Sequence, residues 1–181
     1  MSYLEKLYGS CSCGSDECGA TQSNKGIKRK VTIDFLFLDL NVCTRCQGTD
    51  QSLDDALREV SKVLESSDID IEINKINVIN EELAVKHRFI SSPTIRVNGH
   101  DIQMEVRESL CQSCGDLCGD EVDCRVWDYN GIEYNVPPKA MIIEAILKEV
   151  YREDNSKTNL SDYGYILPEN LKKFYDGIKN K

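Results

Sequence analysis

The chain has 181 residues, with 31 acidic side chains against 22 basic ones and a formal net charge of −9. That length suits one core with decorations or two small domains, and the acidic balance argues against a nucleic-acid backbone as partner. No apolar run of signal-peptide type opens the sequence and no segment approaches a membrane span, so the expectation is an acidic protein of the cytoplasm with no membrane partner.

Residues 1–28 are rich in Gly, Ser and Cys without periodicity, and read as a cysteine-containing tail. The basic run Lys28-Arg29-Lys30 reads as a solvated lead-in to a strand. Val31 to Leu38, "VTIDFLFL", is the β-branched and aromatic pattern of a buried central strand. Leu53, Ala56, Leu57, Val60, Val63 and Leu64 then recur at helical spacing from Ser52, with Ser52 and Asp55 resembling a capping box. Ile69, Ile71 and Ile73 alternate as in a strand. The phase then slips to Ile76 and Val78, which suggests a bulge near Asn74-Lys75. Glu81 to Phe89 reads as a short helix ending near His87.

Thr94 to Val97 and Ile102 to Val106 read as strands joined by "NGHD", a hairpin signal with His100 solvated in its turn. A second hairpin pairs "RVWDY" with "IEYNV" around Asn130-Gly131, where Trp127, Tyr129 and Tyr134 suit cross-strand packing. Pro137-Pro138 ends it and opens a helix striped with Met141, Ile142, Ala145, Ile146 and Val150. After a polar stretch, Pro168 to Ile178 carries Leu171, Phe174, Tyr175 and Ile178 on one face, suited to packing back on the core.

The chain holds 9 cysteines. At close spacing in a reducing compartment, cysteines serve as metal ligands or redox groups more often than as permanent staples. Cys11, Cys13 and Cys18 lie in the tail. Cys43 and Cys46 form "NVCTRC" after the first strand. Cys111, Cys114, Cys118 and Cys124 form "CQSCGDLCGDEVDC". Four thiolates satisfy tetrahedral zinc. The same four also suit an iron–sulfur cluster, although their gaps do not match the ferredoxin runs, or two disulfides.

The order strand, Cys-x-x-Cys, helix, strand, helix, Pro-led strand, strand, helix resembles the thioredoxin-like superfamily. The resemblance rests on Cys43-Thr44-Arg45-Cys46, on "SSPTIRVNG" and on the hairpin into Ile102. The whole chain also looks like a little-characterised bacterial branch with added cysteine clusters. The implied fold is α/β: a mixed four-stranded sheet flanked by helices over residues 29–151, with a Cys-rich insertion and hairpin at about 107–137 and a C-terminal extension over 152–181. The resemblance also implies a cis Ser92–Pro93 bond facing the Cys-x-x-Cys. It further implies that the Cys111–Cys124 cluster lies at the same sheet edge as Cys43.

Two functions follow as expectations. One is a thiol–disulfide oxidoreductase in which Cys43, the more exposed thiol, attacks a protein or small-molecule disulfide, Cys46 resolves the mixed disulfide, Arg45 adds positive charge nearby and Pro93 shapes the groove. Dithiol chemistry needs no cofactor. The other is a metal or metalloid binding and trafficking protein that takes a soft ion on clustered thiolates, with Cys111, Cys114, Cys118 and Cys124 as ligands. Gly48 raises the prospect of a helix break after the Cys-x-x-Cys, which would weaken the activation of Cys43.

Overall fold

The computed structural model describes residues 29–152 and 164–180. Within them the elements are β1 (Arg29–Phe37), α1 (Thr44–Glu65), β2 (Ile69–Asn77), α2 (Glu81–Lys86), β3 (Thr94–Val97), β4 (His100–Asp101), β5 (Arg107–Leu110), α3 (Gln112–Cys118), β6 (Asp123–Tyr129), β7 (Ile132–Tyr134), α4 (Lys139–Val150) and α5 (Glu169–Lys179). The fold is α/β. A mixed four-stranded sheet has the order β2-β1-β3-β4, and a three-stranded sheet the order β5-β6-β7.

The central strand β1 follows from its sequence, with Ile33, Phe35 and Leu36 fully buried. It pairs parallel with β2 from Arg29↔Ile69 to Phe37↔Asn77, one residue for one throughout, so the expected bulge at Asn74-Lys75 does not form. The phase slip has another cause. β2 is an edge strand in the order, and only Ile69 of its residues is fully buried, so its alternation is under weak constraint. β3 runs antiparallel to β1, and β4 antiparallel to β3. The fourth strand is only His100–Asp101 rather than the expected 102–106. Gln103 ends it by donating its backbone N–H to Asp101 at 2.9 Å, while its side chain reaches across to Val126 and Asp128 of β6. His100 is not simply solvated, since its Nδ1 lies 3.3 Å from a Glu149 carboxylate oxygen.

Helix α1 runs unbroken through Gly48, which corrects the expected break and moves the start from Ser52 back to the cysteine pair. Gly48 is there for space. A Cβ at this position would come within 2.5 Å of Val136 Cγ2, so the glycine lets the chain before α4 pack against the helix. Ser52, read as a cap, instead sits inside the helix and donates to Pro137 O at 2.6 Å.

α1 packs against α4, and α5 packs against α3 and α2. Most of the C-terminal stripe closes on the core as its pattern suggests, while Ile178 stays exposed. Leu171, Phe174 and Tyr175 are buried, and the Tyr175 hydroxyl donates to Val78 O at 3.1 Å. No described helix is long and apolar enough to cross a membrane.

Candidate metal centre

Three pieces of chain converge at the end of β1. The first is the head of α1. Asp39 accepts the backbone N–H groups of Asn41 and Val42, and the Gln47 side chain donates to Leu40 O and Asn41 O, which folds the loop into a tight entry. Cys43 is the N-cap, and its sulfur accepts the Cys46 N–H at 3.4 Å. A cap of this kind satisfies one of the donors every helix start leaves unpaired.

The second piece is the Ser92–Pro93 segment before β3. Its peptide bond is cis, as expected. Ser92 is buried, accepts the Leu38 N–H at 3.1 Å, and brings its hydroxyl 3.3 Å from Cys46 Sγ.

The third piece is the β5–α3–β6 unit. Antiparallel pairing sets Ser109 opposite Cys124 and Leu110 opposite Asp123. Cys111, just beyond the end of β5, therefore lies beside Cys124 at the start of β6. One turn of α3 then carries Cys114 back to the same place, with its sulfur 3.3 Å from Cys124 Sγ. Gly119, with φ at 80°, closes α3 in the left-handed region that favours glycine.

The sulfurs of Cys43, Cys111, Cys114 and Cys124 all lie within 4.8 Å of one another. Cys43, Cys114 and Cys124 are 0% exposed and Cys111 is 3% exposed. This buried group can hold a metal ion. It differs from the expected set by one member, with Cys43 standing where Cys118 was anticipated. The reason is helical rise. Cys118 lies four residues beyond Cys114, about 6 Å further along α3. There it packs against α5, where a Cβ on Gly177 would sit 2.4 Å from Cys118 O. Its thiol faces the carbonyls of Gly115 and Asp120 at 3.8 and 3.6 Å. The six cysteines among the described residues are all free thiols. Cys11, Cys13 and Cys18 lie outside the described residues.

Crowding four thiols together divides their protons unevenly. Thiols donating from Cys111, Cys114, Cys124 and Cys46 hold Cys43 far below the ordinary thiol range. Hydrogen bonds from Cys114 and Cys124 pull Cys111 down to about 6. Those two donors are pushed up in turn, each first through its hydrogen bond to Cys111. Cys46 is pushed up because its thiol donates to Cys43 and because it is buried. Contrary to expectation, Cys43 is no more accessible than Cys46, both being 0% exposed.

Arg45 has a more specific place than nearby positive charge. Its guanidinium donates to Ser109 O, Cys124 O, Leu110 O and Ser109 Oγ at 2.8 to 3.1 Å. It thereby fastens the ends of β5 and β6 to the first turn of α1. A second cation, Arg125, was not singled out from the sequence. It is fully buried, forms a two-pronged pair with Asp101 at 2.8 Å, and lies over the Trp127 ring at 5.2 Å. Its backbone N–H donates to Ser92 O at 2.7 Å, which joins β6 to the Ser92–Pro93 segment. Two surface grooves, about 570 and 620 Å³ in volume, flank α3, and Cys111 lines both.

The chain belongs to a family described as a domain of unknown function, DUF2703, whose model matches residues 31–146. That span holds all four grouped cysteines. Comparison with the curated proteins and with the solved structures gives no significant match.

Proposed function

We propose that this DUF2703 protein binds one soft metal ion, zinc foremost, through the thiolates of Cys43, Cys111, Cys114 and Cys124 on a thioredoxin-like scaffold. The observation that carries the reading is the compactness of the four sulfurs, all within 4.8 Å of one another. A tetrahedral zinc ion about 2.3 Å from each thiolate separates its ligands by about 3.8 Å. The Cys43–Cys111 separation of 4.0 Å and the Cys114–Cys124 separation of 3.3 Å straddle that value. An iron–sulfur cluster interposes its own iron and sulfide between the thiolates and so calls for a more widely spread set. The scaffold reading is supported by the order β2-β1-β3-β4, by the strand directions, and by a Cys-x-x-Cys that opens the helix after β1. Burial suits binding, because a site largely shielded from water keeps a structural or carried ion from exchanging freely.

A second reading, thiol–disulfide oxidoreductase, is favoured by one observation: Cys43 caps the helix and the surrounding thiols keep its sulfur ionised. The thiolate is the nucleophile in such chemistry. Its 0% exposure counts against attack on an external protein disulfide.

Anaerobic purification followed by metal analysis separates the two. The binding reading expects bound zinc, with one equivalent lost on Cys43→Ser and kept on Cys46→Ser. A metal-free chain, with a two-electron couple confined to Cys43 and Cys46 in glutathione buffers, would establish the oxidoreductase instead.

A further inference from the structure

Cys43 belongs to two groups at once. It is one of the four clustered sulfurs, and it is also the hydrogen-bond partner of Cys46, which stands outside the cluster. Cys46 is fully buried beside the ligand set without being a member of it. It is therefore placed to compete with the ion for Cys43. Cys111 adds a route to the outside, since of the four grouped cysteines it alone lines the two surface grooves. Its sulfur lies 4.0 Å from Cys43 Sγ.

We propose, resting on the metal-binding reading, that the site releases its ion by oxidation. A low-molecular-weight disulfide, RSSR, is reduced while Cys43 and Cys46 are joined. The Cys111 thiolate attacks RSSR from the groove, forming a Cys111–SR bond and expelling RS⁻. The Cys43 thiolate displaces the second RS⁻ and joins Cys111. Cys46 gives its proton to one released RS⁻ and attacks the Cys43 sulfur, which returns Cys111 as a thiolate. Two protein sulfurs are oxidised and one RSSR becomes RS⁻ and RSH. The new bond removes Cys43 from the ligand set and leaves three thiolates. Burial selects the oxidant: the grooves admit a small disulfide to Cys111, whereas Cys43, Cys114 and Cys124 are closed to a protein surface.

The test uses the full zinc-loaded chain with glutathione disulfide as RSSR. A chromophoric chelator reads zinc release, and peptide mass mapping reads the disulfide formed. Wild type is expected to release the ion as a Cys43–Cys46 disulfide accumulates, and to take it back on addition of dithiothreitol. Cys46→Ser is expected to load zinc normally and to accumulate the Cys43–Cys111 disulfide in place of Cys43–Cys46, because nothing resolves that bond. A Cys46→Ser chain in which no Cys43–Cys111 disulfide forms, or a wild-type disulfide mapped to Cys114–Cys124, overturns the proposal while leaving the binding reading intact. A wild-type chain that takes up no zinc overturns both. Should Cys46→Ser fold poorly, the map on wild type decides alone.

Discussion

Cys43 Sγ lies 4.0 Å from Cys111 Sγ, although 68 positions separate the two residues in the chain. That contact turns a Cys-x-x-Cys and a distant cysteine cluster into a single centre. Strand direction makes it possible: β3 begins where β1 ends, and the β6 backbone is tied to the Ser92 carbonyl in front of β3.

Arg45 keeps the two halves of that centre in register, through four hydrogen bonds to groups of Ser109, Leu110 and Cys124. Arg45→Ala is expected to lower zinc affinity by about 10- to 100-fold, the usual cost of losing a group that orients ligands. Competition with a chelator of known affinity measures it. Arg45→Lys is expected to recover little, because one ammonium cannot reproduce the planar fork of donors.

Zinc affinity is expected to rise with pH. At neutral pH the depressed Cys43 and Cys111 thiols are already ionised, whereas Cys114 and Cys124 hold their protons. Binding must then expel about two protons, so the logarithm of the association constant climbs with a slope of about two. As pH falls through about 6, Cys111 takes up a proton and the slope steepens. Calorimetry in buffers of different ionisation enthalpy counts the protons directly.

The approach of Gly48 to Val136 gives a stability prediction. Gly48→Ala places a methyl 2.5 Å from Val136 Cγ2, and valine has little rotamer freedom with which to yield. Overpacking of this kind costs about 1–3 kcal/mol, against a gain of about 1 kcal/mol in helix propensity. The single variant is expected to be no more stable than wild type by urea unfolding. In a Val136→Ala background the same change is expected to stabilise.

Alkaline pH offers a separate check on how the C-terminal segment is held. Burial pushes the Tyr165 hydroxyl up to about 12, and that hydroxyl donates to Phe89 O at 2.6 Å. The folded state thus favours the protonated phenol. This contribution is intact below the ordinary tyrosine value of about 10 and is lost as pH rises from there toward 12. Tyr165→Phe is expected to flatten the fall in unfolding free energy across that window.

Much of this was legible in the sequence. "VTIDFLFL" is central because every second residue and half of those between are apolar. Asn98-Gly99 and Asn130-Gly131 adopt the positive φ angles that such turn pairs provide. The strand directions implied by the resemblance placed Cys111 and its neighbours toward Cys43, where Cys111 lies. Other features were not legible. Gly48 reads as a break, because local pattern cannot reveal that Val136 will occupy the space where its Cβ would stand. Cys118 belongs to the cluster by spacing and leaves it by helical rise. Arg125 was not singled out, because its burial depends on Asp101, which reaches it only once β4 and β6 are in place.

Cobalt(II) titration reads the ligand set itself, because four thiolates around cobalt give strong ligand-to-metal charge-transfer and visible bands that three thiolates and water do not. A tetrathiolate spectrum is expected to saturate at one equivalent in wild type and in Cys118→Ser, and to be lost in Cys43→Ser. A tetrathiolate spectrum that survives Cys43→Ser and disappears with Cys118→Ser would remove Cys43 from the ligand set and overturn the proposed centre.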